Sequence, residues 1–266
     1  MQDFTKYIEL AKICKLTYAS PINHKLFTIE NVKIKEQRIV YGSYGRGFCR
    51  IFWNESYLII AFRGTREKVD WKISNFKLWP SKFRISKNVK LNFRVHHGFQ
   101  ETLNYIDKTT NLTAFETIIH LIEKNDLLNN KKLFITGHSL GGALAKLFIT
   151  RFFEIHKNKL LKKNIEVIVF GAPAVGFKRF KEHYNQNFVE TVRIVNGSDI
   201  VPFTPPLFYK HVGKEIWLQK DKLVQNLGWF NRLLYSLKLP LQNFSKDHSI
   251  VEYIENLKKA AQNNEL

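Results

Sequence analysis

A chain of 266 residues, of which 44% are hydrophobic and 24% charged, can bury a sizeable core, so its composition excludes a largely disordered protein. The sequence contains no run of about 18 uninterrupted apolar residues and therefore predicts no membrane-spanning helix. The formal net charge of +19 attracts polyanions. The basic residues are dispersed, however, and do not form a run with interleaved aromatic residues, so no nucleic-acid partner is expected.

The N-terminal segment and the two cysteines bear on the cellular compartment. Asp3 and Glu9 occur where a secretory signal peptide would need a continuous apolar stretch. Cys14 and Cys49 are too few for a disulfide scaffold, and two free thiols in a reducing compartment are favoured over one bridge between them. We expect a cytoplasmic or peripheral membrane location, with export by another route left open, and the sequence predicts no particular oligomeric state.

The first part of the chain predicts a helix followed by antiparallel strands. Apolar residues recur at a spacing that places them on one helix face, namely at Phe4, Ile8, Ala11, Cys14 and Tyr18. Segments rich in β-branched and aromatic residues follow, separated by breaks that contain Gly or Asn. These predicted strands span residues 38–41, 48–53 and 57–63.

The remainder of the chain alternates between helical and strand patterns. A helical stretch from Phe99 to Ile122, with an interruption at 109–111, precedes strands at 132–136, 165–170 and 191–195 and helices at 140–153 and 249–261. Such alternation favours an α/β fold with a mixed, mostly parallel central sheet, helices on both faces and a ligand site at the carboxyl ends of the strands. No repeat or linker divides the chain, so residues 1–266 are predicted to form a single domain.

The pattern that carries chemistry is a Gly-His-Ser-Leu-Gly turn at 137–141, which joins an apolar strand directly to an amphipathic helix. This is the context of a nucleophile elbow. The turn holds Ser139 in a strained backbone conformation, and glycines at both ends let the strand and the helix approach closely. The alternative is a tight turn without chemistry, which the flanking strand and helix disfavour.

A serine hydroxyl needs a general base that a carboxylate orients, and on this kind of sheet the acid and then the histidine follow the serine along the chain. Asp199 follows a strand after a short Asn-Gly turn and is the best-placed acid, with Glu215 and Asp221 as alternatives. His248 precedes the last helix on a loop that can reach the carboxyl edge of the sheet. It is favoured over His211, which enters a strand and suits a buried or capping role.

An oxyanion needs two hydrogen-bond donors. The backbone N–H of Leu140, at the start of the helix, is one. In segment 57–65, Gly64 is expected to let the backbone turn, so that the N–H and hydroxyl of Thr65 point into the site. Arg63 would anchor this loop by a salt bridge, and the competing interpretation of Thr65 is an ordinary turn residue.

Six motifs together resemble, in their order, those of the class 3 lipases, a family that includes fungal triacylglycerol lipases and plant phospholipases. They are AFRGT at 61–65, VHHGF at 95–99, GHSLGG at 137–142, FGAPAVG at 170–176, NGSDIVP at 196–202 and DHS at 247–249. The resemblance covers roughly residues 1–260. It implies the α/β-hydrolase fold, a triad of Ser139, Asp199 and His248, and an oxyanion hole of Thr65 and Leu140, with no metal or other cofactor.

The resemblance also implies a short lid. Segment 67–76, with Val69, Trp71, Ile73 and Phe76 between charged residues, resembles the family's amphipathic lid helix, and the alternative is a permanently packed surface helix. In segment 223–239, leucines and Phe230 recur at helical spacing and predict a second amphipathic helix. This helix could form a second cap, contact a membrane or pack on its own domain.

The function that these features imply is hydrolysis of lipid esters through an acyl-enzyme. The alternatives are a phospholipase A1 acting on anionic membranes, toward which the charge leans, and a non-catalytic binding module with a lipase fold.

Overall fold

The structure is a computed structural model that describes residues 3–19, 26–29, 32–41, 47–65, 79–86, 88–106, 110–157, 164–188, 190–219, 222–225 and 245–264. The longer helices in these ranges are α1 (Phe4–Leu16), α2 (His97–Leu103), α3 (Ala114–Lys124), α4 (Leu140–His156), α5 (Lys178–Asn187) and α6 (Ile250–Asn264). The strands are β1 (Leu26–Ile29), β2 (Val32–Tyr41), β3 (Gly47–Trp53), β4 (Tyr57–Phe62), β5 (Pro80–Arg84), β6 (Lys90–His96), β7 (Lys132–His138), β8 (Ile165–Phe170), β9 (Thr191–Asn196), β10 (Lys214–Gln219) and β11 (Lys222–Gln225).

One mixed sheet organises the described part of the chain, with the strand order β1-β2-β3-β4-β7-β8-β9-β10-β11. The pairs from β1 to β4 are antiparallel, as predicted for β2 to β4. The central strands β4, β7, β8, β9 and β10 are parallel neighbours, and β11 returns antiparallel to β10. The carboxyl ends of the parallel strands therefore meet along one edge, where the sequence predicts the ligand site.

Helices cover both faces of the sheet, and the side chains of β4 alternate between two hydrophobic cores. Leu58, Ile60 and Phe62 pack in one core with apolar residues of α2, α3, α4 and α5. Ile59 and Ala61 pack in the other with residues of α1 and α6. This alternation follows from the two-residue period of a strand. No helix in the described ranges is long and apolar enough to span a bilayer.

The first helix confirms the predicted element, but its buried face is rotated from the predicted one. Ala11 and Cys14 are buried as expected, whereas Phe4 and Ile8 are only partly buried, and Tyr7, Leu10 and Ile13 complete the buried face. Cys14 and Cys49 are buried free thiols, as favoured from the sequence. Burial raises the pKa of Cys14 to about 12, so its thiol stays protonated near neutral pH.

The predicted interruption of the helical stretch from Phe99 to Ile122 is confirmed, but it is wider than 109–111. Helix α2 ends at Leu103 and α3 starts anew after Thr113, whose side chain and backbone form a capping box with Glu116. Segment 223–239 begins as strand β11, because its first residues pair with β10 along the sheet edge. The rest of that segment and the predicted lid at 67–76 lie outside the described residues.

Candidate active site

Three loops at the carboxyl edge of the sheet bring the predicted serine, histidine and acid together. Nε2 of His248 lies 2.9 Å from Oγ of Ser139. Nδ1 of His248 lies 2.9 Å from each carboxylate oxygen of Asp199. Ser139 stands between β7 and α4, Asp199 follows β9, and His248 precedes α6. The three side chains thus form one continuous hydrogen-bonded path from carboxylate to hydroxyl.

The alternative acids and base are placed elsewhere. Glu215 pairs with Arg193 at 3.0 Å. Nε2 of His211 lies 2.5 Å from the carbonyl oxygen of Pro202, which agrees with the structural role expected for that histidine. Asp221 lies outside the described residues. Within the described ranges, no three His, Cys, Asp or Glu side chains are grouped so that they could hold a metal ion.

The elbow at Ser139 has the strained geometry that the sequence predicts. Ser139 has φ 58° and ψ −129°, a conformation that a residue with a side chain rarely adopts. A Cβ atom at Gly137 would lie 2.3 Å from the backbone of Gly141, and one at Gly141 would lie 2.2 Å from the carbonyl oxygen of Phe62. Both glycines are therefore required for the close approach of strand and helix, which places the serine at the tip of the turn, where it is 2% exposed.

Asp199 is fully buried, and its carboxylate is surrounded by donors. Besides His248, the backbone N–H of Val201 donates to Oδ1 at 2.9 Å and the hydroxyl of Tyr253 donates to Oδ2 at 2.6 Å. Burying a carboxylate costs free energy unless such donors replace water. Tyr253 was not identified from the sequence, where it is indistinguishable from a core aromatic residue of α6.

Gly171 is a further residue that sequence reasoning assigned no role. Its φ is +53°, and a Cβ atom there would lie 2.5 Å from Oδ2 of Asp199, 2.8 Å from the hydroxyl of Tyr253 and 3.2 Å from Nδ1 of His248. The first glycine of the FGAPAVG motif therefore leaves room for the histidine and the acid to meet.

Asp247 ties together the loops that carry the acid and the histidine. Its Oδ2 accepts hydrogen bonds from the backbone N–H of Ser198 at 2.7 Å and from the Ser198 hydroxyl at 2.6 Å. The side-chain amide of Asn196 donates to the Asp247 carbonyl oxygen at 3.0 Å. Ser198 directly precedes Asp199, and Asp247 directly precedes His248. These bonds therefore fix the loop of the acid relative to the loop of the histidine.

The predicted oxyanion residues adjoin Ser139. Leu140 is the first residue of α4, and Thr65 is an exposed residue that follows Gly64. A Cβ atom at Gly64 would lie 2.7 Å from the carbonyl oxygen of His138 and 3.2 Å from Cβ of Ser139. The φ of Gly64 is not left-handed, and the reason for a glycine here is the space that it leaves beside Ser139. The salt bridge of Arg63 stays a prediction.

A mixed sheet with a parallel centre, a serine on an elbow at its carboxyl edge, and an acid and a histidine on later loops define an α/β-hydrolase. Residues 59–209, more than half of the chain, match the family model described as Lipase (class 3). The chain belongs to the class 3 lipase family, as its motifs predict.

Two curated relatives are a chloroplastic phospholipase A1-Igamma2 of Arabidopsis thaliana and a lipase of Rhizomucor miehei. The first is 32% identical over 60% of this chain and 36% of its own length, and the second is 27% identical over 62% of this chain and 42% of its own length. The chain thus spans less than half the length of either relative. A solved structure of a deletion mutant of the Rhizomucor miehei lipase in its propeptide complex superimposes with a TM-score of 0.65 at 19% identity, over 92% of this chain and 75% of that one, and this likeness concerns the fold alone.

Proposed function

We propose that this protein hydrolyses carboxylic ester bonds of lipids, with Ser139 as nucleophile, His248 as general base and acid, and Asp199 as the group that orients the imidazole. The observation that carries the proposal is the hydrogen-bonded path from Asp199 through His248 to Ser139, in which each contact is 2.9 Å. Membership of a family whose matched relatives are named lipases and phospholipases supports the ester class of substrate. The path also disfavours a binding module that has lost its catalytic residues.

The geometry supports a two-step acyl transfer. Oγ of Ser139 attacks the acyl carbonyl carbon while Nε2 of His248 takes the hydroxyl proton, and the carbonyl oxygen becomes an oxyanion. The N–H of Leu140 and the N–H and hydroxyl of Thr65 are the proposed donors to that oxygen. This tetrahedral intermediate collapses by breaking the bond between the acyl carbon and the alcohol oxygen. The alcohol leaves with the proton from His248, and the acyl group stays on Ser139.

Deacylation repeats the sequence with water. Nε2 of His248 takes a proton from the water that attacks the acyl-enzyme, and collapse returns that proton to Oγ of Ser139 and releases the carboxylic acid. Asp199 accepts the Nδ1–H of His248 throughout, which keeps the Nε2 lone pair directed at the serine and stabilises the transient imidazolium.

The test is hydrolysis of a soluble short-chain nitrophenyl ester combined with labelling by a serine-directed phosphonate. Ser139→Ala should lower kcat by at least about a thousandfold, and mass spectrometry should locate the phosphonate on Ser139. The control is Ser56→Ala, an exposed serine at the opposite end of β4, which should keep full activity. Full activity of Ser139→Ala, or an adduct on another residue, would contradict the proposal.

A second candidate, a phospholipase A1 that contacts anionic membranes, is favoured by a group of exposed apolar side chains. We call Trp79, Leu207 and Phe208 the apolar patch, and they are 74%, 80% and 70% exposed. The carbonyl oxygen of Trp79 accepts from the N–H of His97, while the neighbouring His96 ring lies 5.7 Å from the ring of Tyr209. These contacts bring Trp79 close to the loop that carries the other two residues.

Basic side chains flank the apolar patch. The ring of Phe208 lies 5.9 Å from that of Phe177, and the next residue, Lys178, has a side chain that is 84% exposed. Lys210, two residues after Phe208, is also exposed. Large apolar groups flanked by lysines suit the interface of an anionic bilayer, where each nearby basic residue contributes about 1 kcal/mol. The loop that carries Leu207 and Phe208 begins directly after Asp199, at the carboxyl edge of the sheet.

Membrane contact is tested by sedimentation with phosphatidylcholine vesicles that contain or lack phosphatidylglycerol, at low and high salt. We expect binding only to the anionic vesicles, weakened by salt and by the double substitution Leu207→Ser/Phe208→Ser. Val251→Ser, which removes an exposed apolar residue on α6, is the matched control. Equal binding to neutral vesicles, or no effect of the double substitution, would contradict this candidate. Hydrolysis of phospholipid compared with triacylglycerol in the same assay separates the two activities.

A further inference from the structure

His138 is a buried histidine beside the nucleophile that the proposed chemistry does not use. It is the last residue of β7 and directly precedes Ser139. Its Nδ1 lies 2.8 Å from the hydroxyl of Tyr18, and its Nε2 lies 2.8 Å from the backbone carbonyl oxygen of His248. The His138 and His248 rings are 4.7 Å apart. Each ring nitrogen of His138 therefore contacts a different segment of the site.

The protonation of His138 follows from its partners. A carbonyl oxygen only accepts hydrogen bonds, so Nε2 must carry the proton that it donates to His248. Burial, and then the neighbouring His248, lower the pKa of His138 well below its ordinary value, so the ring is neutral and Nδ1 is an acceptor. The hydroxyl of Tyr18 must then donate to Nδ1.

The Tyr18 oxygen in turn contacts the loop that holds Thr65. A Cβ atom at Gly64 would lie 2.2 Å from this oxygen, so Tyr18 packs directly against the glycine. The hydrogen bonds form a directed chain of two, from Tyr18 to His138 and from His138 to the His248 carbonyl. Every donor and acceptor in this chain has only one consistent orientation.

We propose that Tyr18 and His138 are positioning residues that hold the backbone of His248 and the loop at 64–65 in register around Ser139. This inference rests on the proposed function. The nucleophile, the base and the predicted oxyanion donor lie on three separate segments, and a misplacement of about 1 Å among them is costly to the rate. A neutral His138 has a second effect, because it does not repel the imidazolium that His248 becomes during each turnover.

Removal of the Tyr18 hydroxyl tests the chain of hydrogen bonds. Tyr18→Phe should lower kcat for a soluble short-chain ester by about tenfold or more and leave KM within about twofold, because the geometry around Ser139 loosens while the acyl-binding surface is unchanged. Tyr184→Phe is the matched control: that tyrosine is buried, and its hydroxyl accepts from Thr191 at 3.2 Å in the other hydrophobic core. The control should lose stability and keep its kcat.

Substitutions at His138 separate its contact with the His248 carbonyl from its contact with Tyr18. In His138→Gln, the side-chain amide retains a donor toward the His248 carbonyl, whereas His138→Leu retains neither contact. We expect the glutamine variant to keep about tenfold more of kcat than the leucine variant. Equal kcat values for the two variants would argue against positioning through the His248 carbonyl.

One measurement uses the unsubstituted protein alone, so it does not depend on the folding of a variant. ¹⁵N NMR of the histidine side chains should show His138 as the neutral Nε2–H tautomer throughout about pH 5 to 8. An Nδ1–H tautomer, a titration within this range, or a Tyr18→Phe kcat within about twofold of the parent would each overturn the inference. Absence of ester hydrolysis by the unsubstituted protein would instead overturn the proposed function, so the two failures are distinguishable.

Discussion

The hydroxyl of Tyr253 lies 2.6 Å from Oδ2 of Asp199, the same carboxylate that contacts His248 at 2.9 Å. Tyr253 stands in the first turn of α6, and His248 lies just before that helix. The docking of α6 on the sheet therefore positions the base and also supplies a donor to its acid. The precision of the triad depends on how this helix packs.

Tyr253→Phe should lower kcat toward a soluble ester by about ten- to a hundredfold, because the buried carboxylate loses one donor to a charged group, a bond worth about 1.5–3 kcal/mol. The free energy of unfolding, measured by urea titration, should fall by about the energy of this bond, 1.5–3 kcal/mol. An unchanged kcat in a destabilised variant would show that the bond only supports the fold.

Gly171→Ala should abolish measurable ester hydrolysis, because the new methyl group would collide with Asp199 and Tyr253 and strain a residue with φ +53°. Gly213→Ala is the matched control, since its φ is +71° and its Cβ would meet Thr191 at the start of β9, away from the triad. Both variants should lose about 1–2 kcal/mol or more of stability from the backbone strain. Only the first should lose activity, as measured by kcat on the folded protein.

Asp247→Ala should reduce kcat by about tenfold and the free energy of unfolding by about 1–3 kcal/mol, because the N–H and hydroxyl of Ser198 lose their shared acceptor. Glu182→Ala removes an exposed carboxylate on α5 and should change neither quantity. Steady-state kinetics and thermal unfolding of the two variants give the comparison. Parent-like kinetics of Asp247→Ala would mean that the two loops hold their positions without this tie.

The stability of the protein should depend on pH through His96. Burial, and then the neighbouring His97, lower the pKa of His96 to about 4, against about 6.5 in the unfolded chain. Between these values the unfolded state binds a proton that the folded state does not, so the free energy of unfolding should fall as the pH drops from about 6.5 to 4, by about 2–3 kcal/mol.

Urea titrations at several pH values measure this slope. His96→Asn keeps an acceptor for the N–H of Phe99 and should reduce the slope, whereas His120→Asn, at an exposed position on α3, should leave it unchanged. An unchanged slope in His96→Asn would assign the pH dependence to other groups, of which the buried His138 is the first to examine.

Much of the fold could be predicted because its signals are local. Apolar runs and the change of period located the strands from β2 to β4 and from β7 to β9, as well as helices α4 and α6. The hairpin of β5 and β6 was not predicted. Its signal is the alternation of Leu91, Phe93 and Val95 with polar residues, and in the structure these three are more buried than the polar residues between them. The helix predicted for segment 223–239 is wrong at its start, where the chain forms strand β11. The spacing of leucines in the sequence does not reveal that the edge of β10 is free to pair with this segment.

The sequence by itself determined the elbow at Ser139, since a strand, a glycine-flanked turn and a helix are contiguous in the chain, and the order in which the acid and histidine follow. Only the tertiary structure decided which side chains support them. Tyr18 contacts His138, which is 120 residues away in the sequence, and Tyr253 contacts Asp199, which is 54 residues away. Such pairs form because α1 and α6 pack on the same face of the sheet, and local periodicity identifies a buried face without specifying the residues that it will contact.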